Sequence, residues 1–249
     1  MPKPDPKLCW VRLPLEGASN ARDLGGYPTA DGRQTAFHQF VRMNSLEDLT
    51  PADEEFLYEY GVRTVIDLRD DHELTRFPDR YIDRPVVDYH HIALLAGNAA
   101  DPEDIERIFG ESFTIQTVYR LVVENTARAG EVFRTIAHAA PGAVAFHCAV
   151  GKDRTGFVAM VLLLLAGCDR ADVVANYVQS RYNLERDPRF VRRFEAAPEW
   201  ERPFMDSQAD NMKMSLDIID AHGGIHAYLR ECGLTEEEIG LLRARVLGE

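Results

Sequence analysis

Ala143-Val144-Ala145-Phe146-His147 runs straight into Cys148-Ala149-Val150-Gly151-Lys152-Asp153-Arg154-Thr155-Gly156, and that turn runs into Phe157-Val158-Ala159-Met160-Val161-Leu162-Leu163-Leu164-Leu165. The first five residues have the length and apolarity of a buried strand. The last nine are apolar on every side, as a buried helix is. A strand, a tight turn and a helix, all buried, form the unit of an α/β domain with a mostly parallel central sheet flanked by helices. Upstream, Val62-Arg63-Thr64-Val65-Ile66-Asp67-Leu68 is a β-branched run that reads as another parallel strand. Thr50 and Pro51 give an N-cap and a first helical position before it, and Gly61 closes that helix.

Working outward, Leu24-Gly25-Gly26-Tyr27 and the Asp31-Gly32 turn punctuate a small hairpin running to Met43. Arg84 to Leu94 offers a further strand. Helices are expected over Pro102 to Gly110, Thr114 to Arg128 and Gly130 to Ala140, with Pro141-Gly142 breaking the last. The final third reads as helical: Asp169 caps one helix, and Thr235 with Glu238 makes a capping box for the last. Residues 1–17 read as an N-terminal arm and 18–249 as a single domain. Within it the charged, aromatic stretch 188–210 is read as either a lid or a surface excursion.

The 249 residues are 45% hydrophobic and 28% charged, which is ordinary for a globular domain and excludes a disordered tail or a fibre. The formal charge is −13, so the chain has no global attraction for nucleic acid or anionic lipid. An anionic ligand must be caught by a local concentration of cations. Cys9, Cys148, Cys168 and Cys232 show no CxxC spacing, which argues against a zinc site or a disulfide framework. His90 and His91 are adjacent on an expected strand and point to opposite faces, so they cannot share an ion. No metal or other cofactor is called for. The first seven residues lack the apolar stretch of a cleavable signal peptide. The longest apolar run, Phe157 to Cys168, falls short of the ~20 residues of a bilayer span. A cytoplasmic monomer without an integral membrane segment is the simplest expectation.

The turn itself carries the chemistry. At a helix N-terminus the unpaired amides and the helix dipole favour an anion. Gly151 lets the backbone turn so that successive N–H groups converge. Arg154 adds a planar fork matched to two oxygens of a phosphate. The same field favours a thiolate at Cys148, placed beneath a bound tetrahedral anion to attack phosphorus in line.

Cys148-x5-Arg154-Thr155-Gly156 with His147 in front and Gly151 inside resembles the cysteine-dependent superfamily of protein tyrosine and dual-specificity phosphatases. Within it the motif looks like that of the bacterial branch typified by the mycobacterial secreted tyrosine phosphatase B. Asn20-Ala21-Arg22-Asp23-Leu24-Gly25-Gly26, Asp67-Leu68-Arg69 and Tyr228-Leu229-x3-Gly233-Leu234 match that branch in the same order. The resemblance implies that Cys148 forms a phosphocysteine intermediate and that Arg154 binds phosphate. It implies that amides from Ala149, Val150, Gly151 and Lys152 through Arg154 cradle the non-bridging oxygens, and that Thr155 hydrogen-bonds the sulfur. Lys152 resembles the lysine of phosphoinositide-active relatives, where it meets additional phosphate groups.

The same resemblance makes Asp153 the general acid. Asp67, at the C-terminal edge of a parallel strand, is its rival by position. Arg22, Asp23 and Arg69 read as braces for the loop or as a surface salt-bridge cluster, and His147 as a structural hydrogen-bond donor. The function expected is a metal-independent phosphatase acting on phosphotyrosine, with phosphoserine, phosphothreonine or phosphoinositides within reach. A phosphoinositide phosphatase is the alternative. A rhodanese-type sulfurtransferase or a non-catalytic phosphate-binding module is more remote.

Overall fold

The structure is a computed structural model that describes residues 4–81, 85–95 and 114–249. Five strands form one sheet: β1 (Arg22–Asp23), β2 (Phe40–Met43), β3 (Val62–Asp67), β4 (Asp88–His91) and β5 (Ala143–His147). Their order is β1-β2-β5-β3-β4, with only the β1–β2 pair antiparallel. This is the α/β architecture with a mostly parallel sheet that the sequence leads one to expect.

The strand that precedes the Cys148 turn is therefore the central one. Each residue of β5 is buried, and alternate side chains enter opposite cores. Val144 and Phe146 join the larger core with Phe40 and Ile66. Ala143 and Ala145 join the smaller one with Val41, Met43 and Val65. That period of two is the pleat of a strand covered on both sides.

The smaller core is closed by α1 (Pro51–Tyr60), where Thr50 and Asp53 form the capping box and Gly61 the left-handed C-cap at φ 108°. Leu13 and Leu15 also lie in it, so the segment read as an arm is packed down from Leu13 onward. The larger core is closed by α3 (Ile115–Glu124), α4 (Thr126–His138), α5 (Asp153–Ala166), α10 (Ile225–Glu231) and α11 (Glu236–Leu247), with Val173, Tyr177, Met212, Leu216 and Ile219 of two further helices packed into it. The remaining helices are α2 (Asp71–Arg76), α6 (Arg170–Leu184), α7 (Pro188–Ala196), α8 (Arg202–Met205) and α9 (Ala209–Ala221). The caps at Asp169 and at Thr235 with Glu238 are present as read. No helix of the described residues is long and apolar enough to cross a membrane.

Three boundaries differ from the sequence reading. The Arg84–Leu94 strand shortens to β4, because the exposed Val86 lies outside the sheet. The Thr114–Arg128 helix ends at Glu124, where Asn125 leaves helical geometry at ψ 62°, caps the next helix and donates to the Leu94 carbonyl. Gly130, expected to begin a helix, is instead inside α4. The Pro102–Gly110 helix lies outside the described residues.

Gly130 has a packing reason rather than a conformational one. A Cβ there would stand 2.0 Å from the Cys232 carbonyl oxygen. Gly130→Ala should therefore lower stability by about 1–3 kcal/mol, the usual cost of overpacking, in a denaturant titration. Unchanged stability would show that α4 and the Cys232 turn can separate without cost.

Candidate active site

β5 delivers the chain to the sheet edge at His147, and α5 takes it away at Asp153. Between them the carbonyls are held by donors outside the loop. Leu68 N–H donates to the His147 carbonyl at 2.9 Å, and Ser45 N–H donates to that of Ala149 at 3.0 Å. The Asn20 amide donates to the carbonyls of Val150 and Gly151 at 3.0 and 3.1 Å. Arg42 Nη2 donates to those of Gly151 and Lys152 at 2.9 and 3.2 Å. In a trans peptide the N–H points opposite to the C=O. Pinning these carbonyls outward turns the following amides, Val150 to Asp153, inward. Gly151 makes the turn at φ 72°, and a Cβ on it would stand 2.4 Å from the Met43 carbonyl oxygen.

Beneath the loop lie two buried guanidiniums whose partners are neutral. Arg22 donates to Asn20, to Ser180 and to the Asn176 carbonyl, and Arg42 to the Asn176 side chain at 2.6 Å. Burial, and for Arg22 the repulsion of Arg42, push both below the ordinary arginine value, Arg42 to about 10. They brace the loop from below, so the surface-cluster reading of Arg22 fails on its burial. Asp23, also buried, instead accepts from Gly25 N–H, His38 N–H and the Tyr60 hydroxyl.

Cys148 is buried at the foot of the loop. Arg154 sits on the first turn of α5, and two carboxylates of the α2 region hold it. Its Nη1 donates to Glu73 Oε2 at 2.5 Å and Asp70 Oδ2 at 3.2 Å, and its Nη2 donates to Glu73 Oε1 at 2.9 Å. Burial alone would weaken this cation. The bonds to Glu73 and the charges of Cys148 and Asp70 outweigh it and raise Arg154 above its ordinary value. Among the described residues Thr155 Oγ1 is buried without a hydrogen-bond partner, so the contact to sulfur implied by the resemblance is not made in this arrangement.

Lys152 is placed differently from its expected meeting with extra phosphate groups. Its ammonium donates to the carbonyls of Phe204 and Asp206 at 3.0 and 2.8 Å and lies 2.9 Å from Asp153 Oδ1. It is buried, because the α8 segment supplies the oxygens its charge needs. Asp153 Oδ1 also accepts from the Tyr119 hydroxyl, which shares a hydrogen bond with Tyr177. Burial, then the charge of Asp153, holds Tyr119 well above its ordinary value, so it stays a donor. The 188–210 stretch packs alongside: Arg189, Phe190 and Arg193 of α7 line a cleft of about 210 Å³ with Ala149, Val150 and Asn44.

Asp67, the rival acid, is fully buried in an ion network. Arg69 donates to both its oxygens, Nη2 at 2.7 Å, and the Tyr89 hydroxyl donates at 2.9 Å. His147 lies 3.0 Å from Asp79 and 3.8 Å from Asp67. Burial alone would raise Asp67, yet His147 and Arg69 hold it well below the carboxylate range. Burial alone would lower His147, and the same two aspartates hold it above its ordinary value. A carboxylate so held has no proton to give at neutral pH. His147, read as a structural donor, belongs to this network, and His90 and His91 go to separate partners, Asp88 and the Arg69 carbonyl.

Sequence reasoning missed Asp70, Glu73, Tyr119, Tyr177 and Asn176, which reach the loop from α2, α3 and α6. One signal was available. Asp70-Asp71-His72-Glu73 follows a parallel strand at the edge where active-site groups gather.

A cysteine and an arginine on an amide-lined turn at the edge of a parallel sheet define a phosphoric monoester hydrolase of the tyrosine-phosphatase type. The profile of the tyrosine phosphatase family matches residues 13–248, and the chain belongs to that family. It is 32% identical to a tyrosine-protein phosphatase of Nostoc commune over 83% of this chain and 74% of that one. It is 30% identical to a putative tyrosine-protein phosphatase of Cupriavidus necator, over 94% of this chain and 88% of that one. It is also 26% identical to the triple specificity protein phosphatase PtpB of Mycobacterium tuberculosis, over 94% and 98%.

Asp67→Asn removes one charge from a buried network and should cost about 3–5 kcal/mol of stability at neutral pH. The folded carboxyl titrates below its unfolded value of about 4, so its contribution is whole above that pH. It is lost as acid protonates Asp67. Denaturation of both proteins as a function of pH should show a gap that closes only in acid. An equal gap at all pH values would mean that the charge contributes nothing.

Proposed function

We propose that this chain hydrolyses phosphotyrosine through a phosphocysteine intermediate at Cys148. The observation that carries the reading is the outward pinning of the loop carbonyls, which turns a ring of amides over a buried thiol beside Arg154. In the first step the sulfur attacks phosphorus and the bond from phosphorus to the tyrosine oxygen breaks. The loop amides and Arg154 hold the non-bridging oxygens as their charge redistributes. In the second step water takes the phosphoryl group from sulfur and the thiolate is restored.

Asp153 is the group that gives a proton to the leaving oxygen and afterwards takes one from water. Lys152 and Tyr119 both engage its Oδ1, which leaves Oδ2 for the substrate. Asp67 has no comparable access. Phosphoserine and phosphothreonine fit the same chemistry where the cleft admits them. The placement of Lys152 lends a phosphoinositide reading no support.

Cys148→Ser should lose turnover while still binding a phosphate analogue, because the hydroxyl is not ionised and has no base beside it. Mass spectrometry of the quenched wild-type enzyme should find phosphate on Cys148. A phosphoryl group on any other residue would overturn the mechanism.

Asp153→Asn should cut kcat on phosphotyrosine by about 10²–10⁴, the usual scale of general acid help. The deficit should shrink on an aryl phosphate with an activated leaving group, which needs no proton. Equal slowing on both substrates would make Asp153 a brace rather than the acid.

A further inference from the structure

Arg154 presents five N–H groups, and among the described residues three are taken. Glu73 holds the end-on edge through Nη1 and Nη2, and Asp70 takes the second hydrogen of Nη1. The edge made by Nε and the remaining Nη2 hydrogen is the one a phosphate can grip with two bonds. A dianion docking there leaves both carboxylates in place, so Arg154 faces two carboxylates and two phosphate charges, an excess that the loop amides and the arginines beneath the loop offset only in part. A buried site does not hold that imbalance.

The two carboxylates are not equivalent. Glu73 accepts twice from Arg154 and once from Asp70 N–H, at 2.9 Å. Asp70 has one contact with Arg154, at 3.2 Å, and its Oδ1 is buried without a hydrogen-bond partner among the described residues.

We propose that Asp70 is a positioning residue of the phosphate site whose carboxyl takes a proton when the dianion binds, so that capture of the phosphoryl group is coupled to uptake of one proton from solution. The inference rests on the reading of Arg154 as the phosphate-binding residue. The groups that face Asp70 are Arg154 on α5, with Cys148 beyond it, and Glu73 and Asp71 on α2. Arg69 precedes it and is engaged with Asp67, while His91 on β4 lies against the Arg69 carbonyl and Asp71. Burial, and repulsion by Glu73 against the pull of Arg154, already raises Asp70 to about 6. A second anion pushes it further the same way.

Sulfate is a suitable probe because it stays doubly charged throughout the range. Its binding to the Cys148→Ser chain, which lacks the thiolate as a competing acceptor, is measured by calorimetry at neutral pH in two buffers of different ionisation heat. The buffer-dependent heat should report uptake of close to one proton. Affinity should fall about tenfold per pH unit above the free-site value of Asp70. With Asp70→Asn added, uptake should vanish and affinity should become flat with pH. Equal heats in the two buffers, or uptake that persists without Asp70, overturn the inference and leave the phosphate site standing. If sulfate neither binds nor competes with aryl phosphate turnover in the wild-type enzyme, the reading of Arg154 fails and the inference goes with it. The buffer comparison needs no Asp70 variant, so misfolding of Asp70→Asn would not protect the proposal.

Discussion

The outward anchoring of the loop carbonyls is the constraint on which the site depends. Amides cannot converge on an anion unless the oxygens of the same peptides are satisfied elsewhere, because an unpaired buried carbonyl is costly. Here Asn20, Arg42 and the Ser45 and Leu68 amides supply those partners from three separate stretches of chain. Arg22 and Asn176 in turn hold Asn20 and Arg42. The loop is shaped from behind, and its amides are turned forward.

Charge is arranged to the same end. The chain is acidic overall, yet two buried arginines stand under the loop with only neutral partners. Their positive field is not cancelled locally, and they are kept because carbonyl and amide oxygens solvate them. Arg154 is treated in the opposite way, held on one edge by Glu73 and Asp70 so that its planar group faces a fixed direction. A separate network around Arg69, Asp67, Asp79 and His147 locks the ends of β3 and β5 together just below. Position alone made Asp67 a candidate acid, and its surroundings remove it.

Local signals were read well where one interaction dominates. The caps at Thr50, Asp169 and Thr235, the left-handed glycine at Gly61, and the buried strands β3 and β5 all appear as the residues suggest. They depend on neighbours within a few positions along the chain. Reading failed where a distant partner decides. Gly130 reads as the start of a helix but lies inside one, as a point of close approach for the Cys232 carbonyl. Lys152 looks like a residue for ligand or solvent but is solvated by carbonyls 52 and 54 positions away.

The sequence by itself determined the fold class, the strand-turn-helix that carries Cys148 and Arg154, and the left-handed glycine and helix N-terminus of that turn. Each follows from short-range periodicity, from backbone freedom at one glycine, and from the fixed chemistry of a helix N-terminus. Only the tertiary structure decided which buried groups hold the loop, which carboxylates face Arg154, and which aspartate is left with a free oxygen beside the site. Those outcomes depend on side chains from β2, β3, α2, α3 and α6 meeting across the sheet. A charge in a protein interior takes its character from what surrounds it, and no spacing along the chain records that.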